Sequence, residues 1–401
     1  MENQSNSSER ELIQYTSSLW KYKSISAEIP ESEKEYINES HTIGDFQVIA
    51  ARVRGKKHKQ DGSNCDDWFE TENIDGIFVS AVSDGAGSKK FSRIGAKKSC
   101  KAAVAFLKIN LLKILKKNPN LRENLCKDMK NHMFLTAAGT LANLVAEATL
   151  AARLAVVKAY EERKLIPRYK NIVGRPLELK DFSATFLLTL AMPLDEIGEV
   201  LVITFQIGDG VTATLNIKES FEKALTVFGT PDSGQFGGET DFLTNPKCAV
   251  KANLTSRIKL SRKPVDILFS MTDGVADDYY PNEKQLFRLY FDLVANRILP
   301  PPKNISESDL ENLNVPPPQI YPRIDADLNK KPVSIQYTEE LVRNCGLTLK
   351  NIWENPAPLV SMARKIFINE HSATGLQEWL DNYTVRGSFD DRTLVILRKR
   401  G

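Results

Sequence analysis

Three apolar runs in this chain each end on an Asp-Gly pair: "FVSAVSDG" (78–85), "VLVITFQIGDG" (200–210) and "VDILFSMTDG" (265–274). A mirror-order version, "RGSFDDRTLVILRK" (386–399), places its aspartates ahead of the apolar run. An aspartate at the end of a buried strand has its backbone held firmly while its carboxylate faces the rim, and the glycine beside it permits a sharp turn. One Asp-Gly pair is often only a turn. Three of them, each closing a strongly apolar run, read as oxygen ligands converging on rigid supports. Carboxylates brought together repel one another, and a metal ion is the usual remedy. Hard cations such as Mg²⁺ and Mn²⁺ take such ligands. A pair of them can activate a water for attack on a phosphoryl group.

The texture around these runs sets the fold class. "DFQVIAARVRG" (45–55) alternates apolar and polar residues and predicts a half-buried strand. "GIFVSAVSD" (76–84) predicts a central one. An amphipathic helix is expected from Arg93 to about Lys117, and a second long helix from about Thr136 to Arg163. Strands then return in "SATFLLTLAM", "EVLVITFQIGD", "TATLNI" and "VDILFSMTD", and "DDRTLVILRKR" closes the chain as a last strand. Strands, two long helices, more strands and late helices make an α+β or layered α/β protein rather than a doubly wound one. Residues 1–44 read as an N-terminal extension, and 45–401 as one domain. The Pro-rich, poorly periodic stretch 298–332 marks an inserted loop spanning about 279–336, expected at the surface. "GTPDSGQFGGETD" (229–241) reads as a mobile loop near the site.

Composition excludes several functions. With 54 basic and 51 acidic residues the net charge is +3, and no basic run is interleaved with aromatics, so nucleic-acid binding is not expected. Five cysteines without a CxxC pair argue against a disulfide framework or structural zinc site and suit a reducing compartment. The polar start "MENQSNSSERELIQY" has no apolar signal core, and no apolar run approaches the roughly 18 residues a spanning helix needs. A cytoplasmic protein without membrane contact is expected.

Rival phosphate chemistries fail on the letters. A cysteine phosphatase needs an arginine six positions after its nucleophile, and the five cysteines are followed there by Thr71, Phe106, His132, Leu254 and Asn351. No strand end supplies Asp-x-Asp for an aspartate nucleophile, and no GxxxxGK[ST] loop is present.

Six motifs stand in a telling order: "GKKHKQDGSNCDD", "SDGAGS", "IGDG", "GGETDFLT", "MTDGV" and "FDDRT". This set resembles the PP2C-type metal-dependent serine/threonine protein phosphatases, and more closely their bacterial branch, from about Gly55 to Leu397. The resemblance implies a four-layer α-β-β-α sandwich of two antiparallel sheets flanked by helix pairs. It implies Mn²⁺ or Mg²⁺, two or three ions, with Asp84 bridging two of them and Gly85 offering its carbonyl. Asp273 and Asp390 would serve the flanking metals, Asp67 would be the N-terminal acidic ligand beside Asp66, and Asp209 would stand near a weaker third metal. Asp277 falls where the family often repeats an acid. The histidine that animal-type relatives carry two residues after the first aspartate is here Ala86. His58 stands in the upstream motif as substitute acid or phosphate contact, with a satisfied surface histidine as the plainer reading. Among Arg52, Arg54, Lys56 and Lys57 the phosphate-gripping cation is left open. The implied activity is hydrolysis of phosphoserine or phosphothreonine on proteins, with a phosphorylated protein substrate, a cognate serine/threonine kinase and a monomeric state. The competing reading is a catalytically weak phosphatase-like scaffold or sensor that binds a phosphoprotein or kinase.

Overall fold

Both faces of the central strands are apolar, and that is what stacks this chain in layers. In β4 (Ile77–Ser83), Ile77, Val79 and Ala81 point to one face and Phe78 and Val82 to the other, all buried. In β10 (Ile267–Met271) the same alternation sends Ile267, Phe269 and Met271 outward and Leu268 inward between the sheets. Strands buried on both faces need a layer on each side, so a pair of such sheets carries three apolar interfaces.

The computed structural model describes residues 21–229, 241–280, 283–303, 305–310, 313, 338, 341–342, 345–363, 372–382 and 389–400. One sheet has the order β1 (Tyr36–Ile43), β2 (Phe46–Val53), β11 (Arg392–Lys399), β10, β7 (Val211–Leu215), β8 (Leu225–Phe228). The other runs β3 (Trp68–Ile74), β4, β5 (Phe186–Leu194), β6 (Glu199–Ile207), β9 (Ile258–Lys263). Every pairing is antiparallel. Phe46, Val48, Phe78, Leu187, Val202, Leu268 and Val395 fill the space between the sheets. Helices Ser92–Lys117 and His132–Arg163 cover the second sheet. Helices Leu286–Ala295 and Ala373–Asn382 cover the first. The α-β-β-α sandwich expected from the motifs is the fold observed.

The long helix His132–Arg163 starts where the Asn131 side chain accepts the Met133 N–H at 2.8 Å. By length and apolar composition it could cross a membrane, against the sequence-based expectation that no segment would. Its stripe Phe134, Ala138, Leu141, Val145, Ala148, Ala152, Val156 and Ala159 is buried on the neighbouring helix and the sheet, as in a core helix.

Two boundaries differ from expectation. The supposed extension 1–44 contributes β1, in register with β2 from Tyr36↔Val53 to Ile43↔Phe46. Its sequence YINESHTI is polar because β1 is a sheet edge, where charge and polarity are tolerated. Residues 21–35 lie against the domain, with Lys23 N–H on Lys59 O (2.7 Å), Ser26 N–H on Gly62 O (3.1 Å) and Glu31 gripped by two of the three Arg163 nitrogens at 2.7 and 2.8 Å. Residues 1–20 lie outside the described residues. The expected surface insert 279–336 is in its first part core: Leu286, Leu289, Tyr290, Phe291, Leu293, Ile298 and Leu299 are all buried against the first sheet. The prolines that follow hid this helical run. Most of 304–337, and 230–240 of the Gly-rich loop, lie outside the described residues.

Candidate metal centre and active site

Five aspartates from five separate segments reach one end of the sandwich. Asp84 follows β4, Asp273 follows β10, Asp209 sits in the β6–β7 turn, Asp67 precedes β3 and Asp390 precedes β11. Carboxylate oxygens of Asp84, Asp209 and Asp273 lie within 4.8 Å of one another. The backbone makes this possible. Asp84 N–H donates to Thr185 Oγ1 (2.9 Å) and Thr185 N–H to Asp84 O (2.8 Å), while Gly85 bridges Ala184. Gly208 adopts φ +103°, and a Cβ there would strike Thr185, so the turn that presents Asp209 requires glycine. Gly274 packs so closely on the Asp391 carbonyl that any side chain would displace the last strand.

Asp67 is 1% exposed, and its Oδ2 accepts hydroxyls from Thr272 (2.8 Å) and Thr393 (2.6 Å). Its Oδ1 has no hydrogen-bond partner among the described residues, and the Asp84 carboxyl lies beside that of Asp67. Burial and the Asp391 charge push the Asp67 carboxyl up to about 7. Burial, then Asp273 and Asp67, push Asp84 well above the usual carboxylate range, and burial with Asp209 and Asp67 does the same to Asp273. Asp277, one helical turn after Asp273, is raised to about 6 by burial and Asp209. Oxygen donors of this number, mutually destabilising and with an orphaned buried carboxylate oxygen among them, fit a hard divalent cation.

Behind this rim stands a clasp that the sequence reading passed over. Asp390 is exposed, and its charge reaches Asp84 and Asp273. The next residue, Asp391, is turned inward and 1% exposed. It accepts the Gly55 N–H (2.6 Å) and the Asp66 N–H (2.5 Å), and meets His58 Nδ1 at 2.9 Å. His58 Nε2 lies 3.8 Å from Asp66 Oδ2. Burial opposes the charge on His58, but Asp391, Asp66 and Asp390 outweigh it and raise the imidazole to about 9. His58 is therefore a cation at neutral pH that joins Asp391 to Asp66. Asp391, Thr272 and Thr393 stand within "MTDGV" and "FDDRT", one to three letters from Asp273 and Asp390.

Of the four cations left open by the sequence, three are built into the wall. Arg52 donates to Asp67 O (2.8 Å) and stacks on Trp68 at 4.6 Å. Arg54 holds Glu35 (2.8 Å), Lys23 O and His58 O. Lys56 is buried, which with Arg392 pushes its amine down to about 7. Lys57 is exposed. Cys65 adjoins the aspartates, but its Sγ turns to Val53 O and burial pushes the thiol up, so it is no nucleophile.

Sandwich and carboxylate rim together define the class: an α-β-β-α protein with an acidic centre fit for a divalent cation. The family model of protein phosphatase 2C matches residues 54–311, more than half of the sequence, and the chain belongs to that family. Asp390 and Asp391 lie beyond the matched stretch and join the site through the pairing of β11 with β2 and β10. Among solved structures, serine/threonine phosphatase Stp1 from Staphylococcus aureus is 11% identical over 92% of this chain and 100% of its own, with a TM-score of 0.38. Serine-threonine phosphatase 2C from Toxoplasma gondii is 12% identical over 90% of this chain and 98% of its own, with a TM-score of 0.41. No curated protein matches the sequence.

Proposed function

We propose that the protein hydrolyses phosphoserine and phosphothreonine on protein substrates with the help of Mn²⁺ or Mg²⁺ ions, held by Asp84, Asp209, Asp273 and Asp67 with Asp390 at the rim. The observation that carries this reading is the meeting of Asp84, Asp209 and Asp273 oxygens within 4.8 Å beside the orphaned Asp67 Oδ1. A divalent cation at such a site supplies Lewis acidity toward the phosphoryl oxygens and a water made nucleophilic near neutral pH. The chain's own residues fix the geometry. Thr185 locks the Asp84 backbone, Thr272 and Thr393 hold one Asp67 oxygen so that the other is presented, and the Asp391–His58–Asp66 clasp fixes the approach of β11. The substrate is the phosphorylated product of a serine/threonine kinase.

The test is hydrolysis of an aryl phosphate and a phosphothreonine peptide with Mn²⁺, with Mg²⁺ and in excess chelator. Turnover confined to the metal-containing samples is expected. Full activity in chelator would refute the reading.

A further inference from the structure

Beside the carboxylate rim, and sharing His58 and Asp66 as a wall with it, is a cavity of about 520 Å³. Its other walls are the N-terminal strap at Ser26–Pro30, Lys57 and the Gly62–Asn64 loop, and the segment from Gly87 to Arg93 that follows Asp84. The walls carry more basic than acidic side chains. Lys57, Lys89 and Lys90 line the cavity, and none forms an ion pair among the described residues. Arg93, 4% exposed, spends two nitrogens on the Lys90 and Pro30 carbonyls, while its Nε has no acceptor among the described residues. The Asn64 amide nitrogen and the Ser63 hydroxyl also lack partners there. Buried donors rarely stay unsatisfied in a folded protein. Carboxylates are present as Glu28, Asp61 and Asp66, but Asp66 is already engaged by His58.

We propose that this cavity is an anion subsite of the phosphatase, taking an acidic group of the substrate close in sequence to the scissile phosphoresidue. The inference rests on the proposed function. The ligand is a carboxylate or a second phosphate, for which the three lysines supply both charge and donors. Its volume is that of an ordinary ligand pocket, room for one such group and its flanking backbone. An extended peptide advances about 3.3 Å per residue, so a group one to three residues from the phosphate can enter it. The strap makes the subsite: Pro30 O holds Arg93 in the wall, and the strap is itself pinned through Glu31 and Arg163.

The experiment compares phosphothreonine peptides whose flanks within three residues are neutral, carry glutamates, or carry one further phosphoserine. In the parent enzyme with Mn²⁺, the acidic peptides should exceed the neutral one in kcat/KM by about tenfold, the gain expected of a charge-assisted contact. That ratio should fall toward one in Lys57→Ala/Lys89→Ala, fall below one in Lys57→Glu/Lys89→Glu, and return in Lys57→Arg/Lys89→Arg. Preference for glutamate and phosphoserine peptides alike assigns the site to anions in general, and preference for the second phosphate alone narrows it to phosphate. Equal kcat/KM for neutral and acidic peptides, or a ratio that survives the charge reversal, overturns the proposal. Fluorescence anisotropy of the same labelled peptides in metal-free buffer reads the subsite without turnover. If no peptide or aryl phosphate is hydrolysed yet acidic peptides bind more tightly in a lysine-dependent way, the hydrolase reading fails and the subsite stands.

Discussion

Replacing Asp391 by asparagine keeps the shape of the clasp and removes its chemistry. In the parent, Oδ1 takes the Gly55 N–H at 2.6 Å, while Oδ2 takes the Asp66 N–H at 2.5 Å and faces His58 Nδ1 at 2.9 Å. Whichever way the amide turns, its NH₂ points at a donor. An orphaned buried donor costs about 1–3 kcal/mol. Stripping a buried ion pair of one partner costs about 3–5 kcal/mol, a figure that overlaps the first and falls if His58 gives up its proton. The expected loss is about 3–4 kcal/mol, a large share of a domain's usual 5–15 kcal/mol. Asp390→Asn, one residue away and exposed, should stay within about 0.5 kcal/mol of the parent. Guanidinium unfolding in the presence of chelator separates the two, with the midpoint of Asp391→Asn shifted and its slope unchanged. Equal midpoints for the two variants would refute the clasp.

The remaining expectations are briefer. Asp84→Asn should lower turnover at saturating Mn²⁺ by at least about a hundredfold while unfolding no earlier than the parent in chelator, because one repelling charge has gone; unfolding of the variant would make Asp84 a structural turn residue. Leu293→Ala, in the helix Leu286–Ala295, should cost about 2–5 kcal/mol, whereas a loss near zero would place that helix at the surface. Glu31 is drawn down to about 2 from its ordinary 4.5, first by its Arg163 hydrogen bonds. Its folded value is the depressed one, so its contribution is full above about 4.5 and is lost as pH falls toward 2. Solvent screening of this half-exposed carboxylate limits the gap between parent and Glu31→Gln to about 1 kcal/mol, and a gap that does not narrow on acidification would contradict the assignment.

The strands legible in the sequence and those that were not divide by position. β2, β4, β5, β6, β7, β10 and β11 are interior to their sheets and carry apolar runs long enough to read. β1 and β8 edge one sheet, β3 and β9 the other. The motif WFETENI of β3 and IKLSRK of β9 are polar because one side of each strand meets no neighbour and the residues need not be apolar. The site divides in a similar way. Aspartates at the ends of interior strands announced themselves, since an ionisable group closing an apolar run has few structural reasons to be there. Which of Asp390 and Asp391 turns inward is decided by the register that sets Arg392 against Val53 and by the close approach of Gly55 to the Asp390–Asp391 peptide. Neither fact is written in two adjacent identical letters.

Rigidity in this centre is placed where repulsion is greatest. Asp67 is buried with the half-buried Asp84 beside it, and their raised carboxyls mean that ionising both works against the fold. Spreading the strand ends would relieve that repulsion, and three features oppose it: the Thr272 and Thr393 hydroxyls on Asp67, the Arg52 guanidinium between the Asp67 carbonyl and Trp68, and Asp391 tying β11 to the segments before and after Cys65. The first two act through hydroxyl and guanidinium donors, while Asp391 ties the backbone and adds a charge that itself raises Asp67. The carboxylates thus keep their full demand for positive charge while their backbone cannot yield. A cation that binds only this arrangement would add its binding free energy to stability, and the same repulsion that weighs on the metal-free protein would then make folding and metal binding one coupled equilibrium. The apolar layers on both sides of each sheet supply the stability that lets such a cluster persist at all.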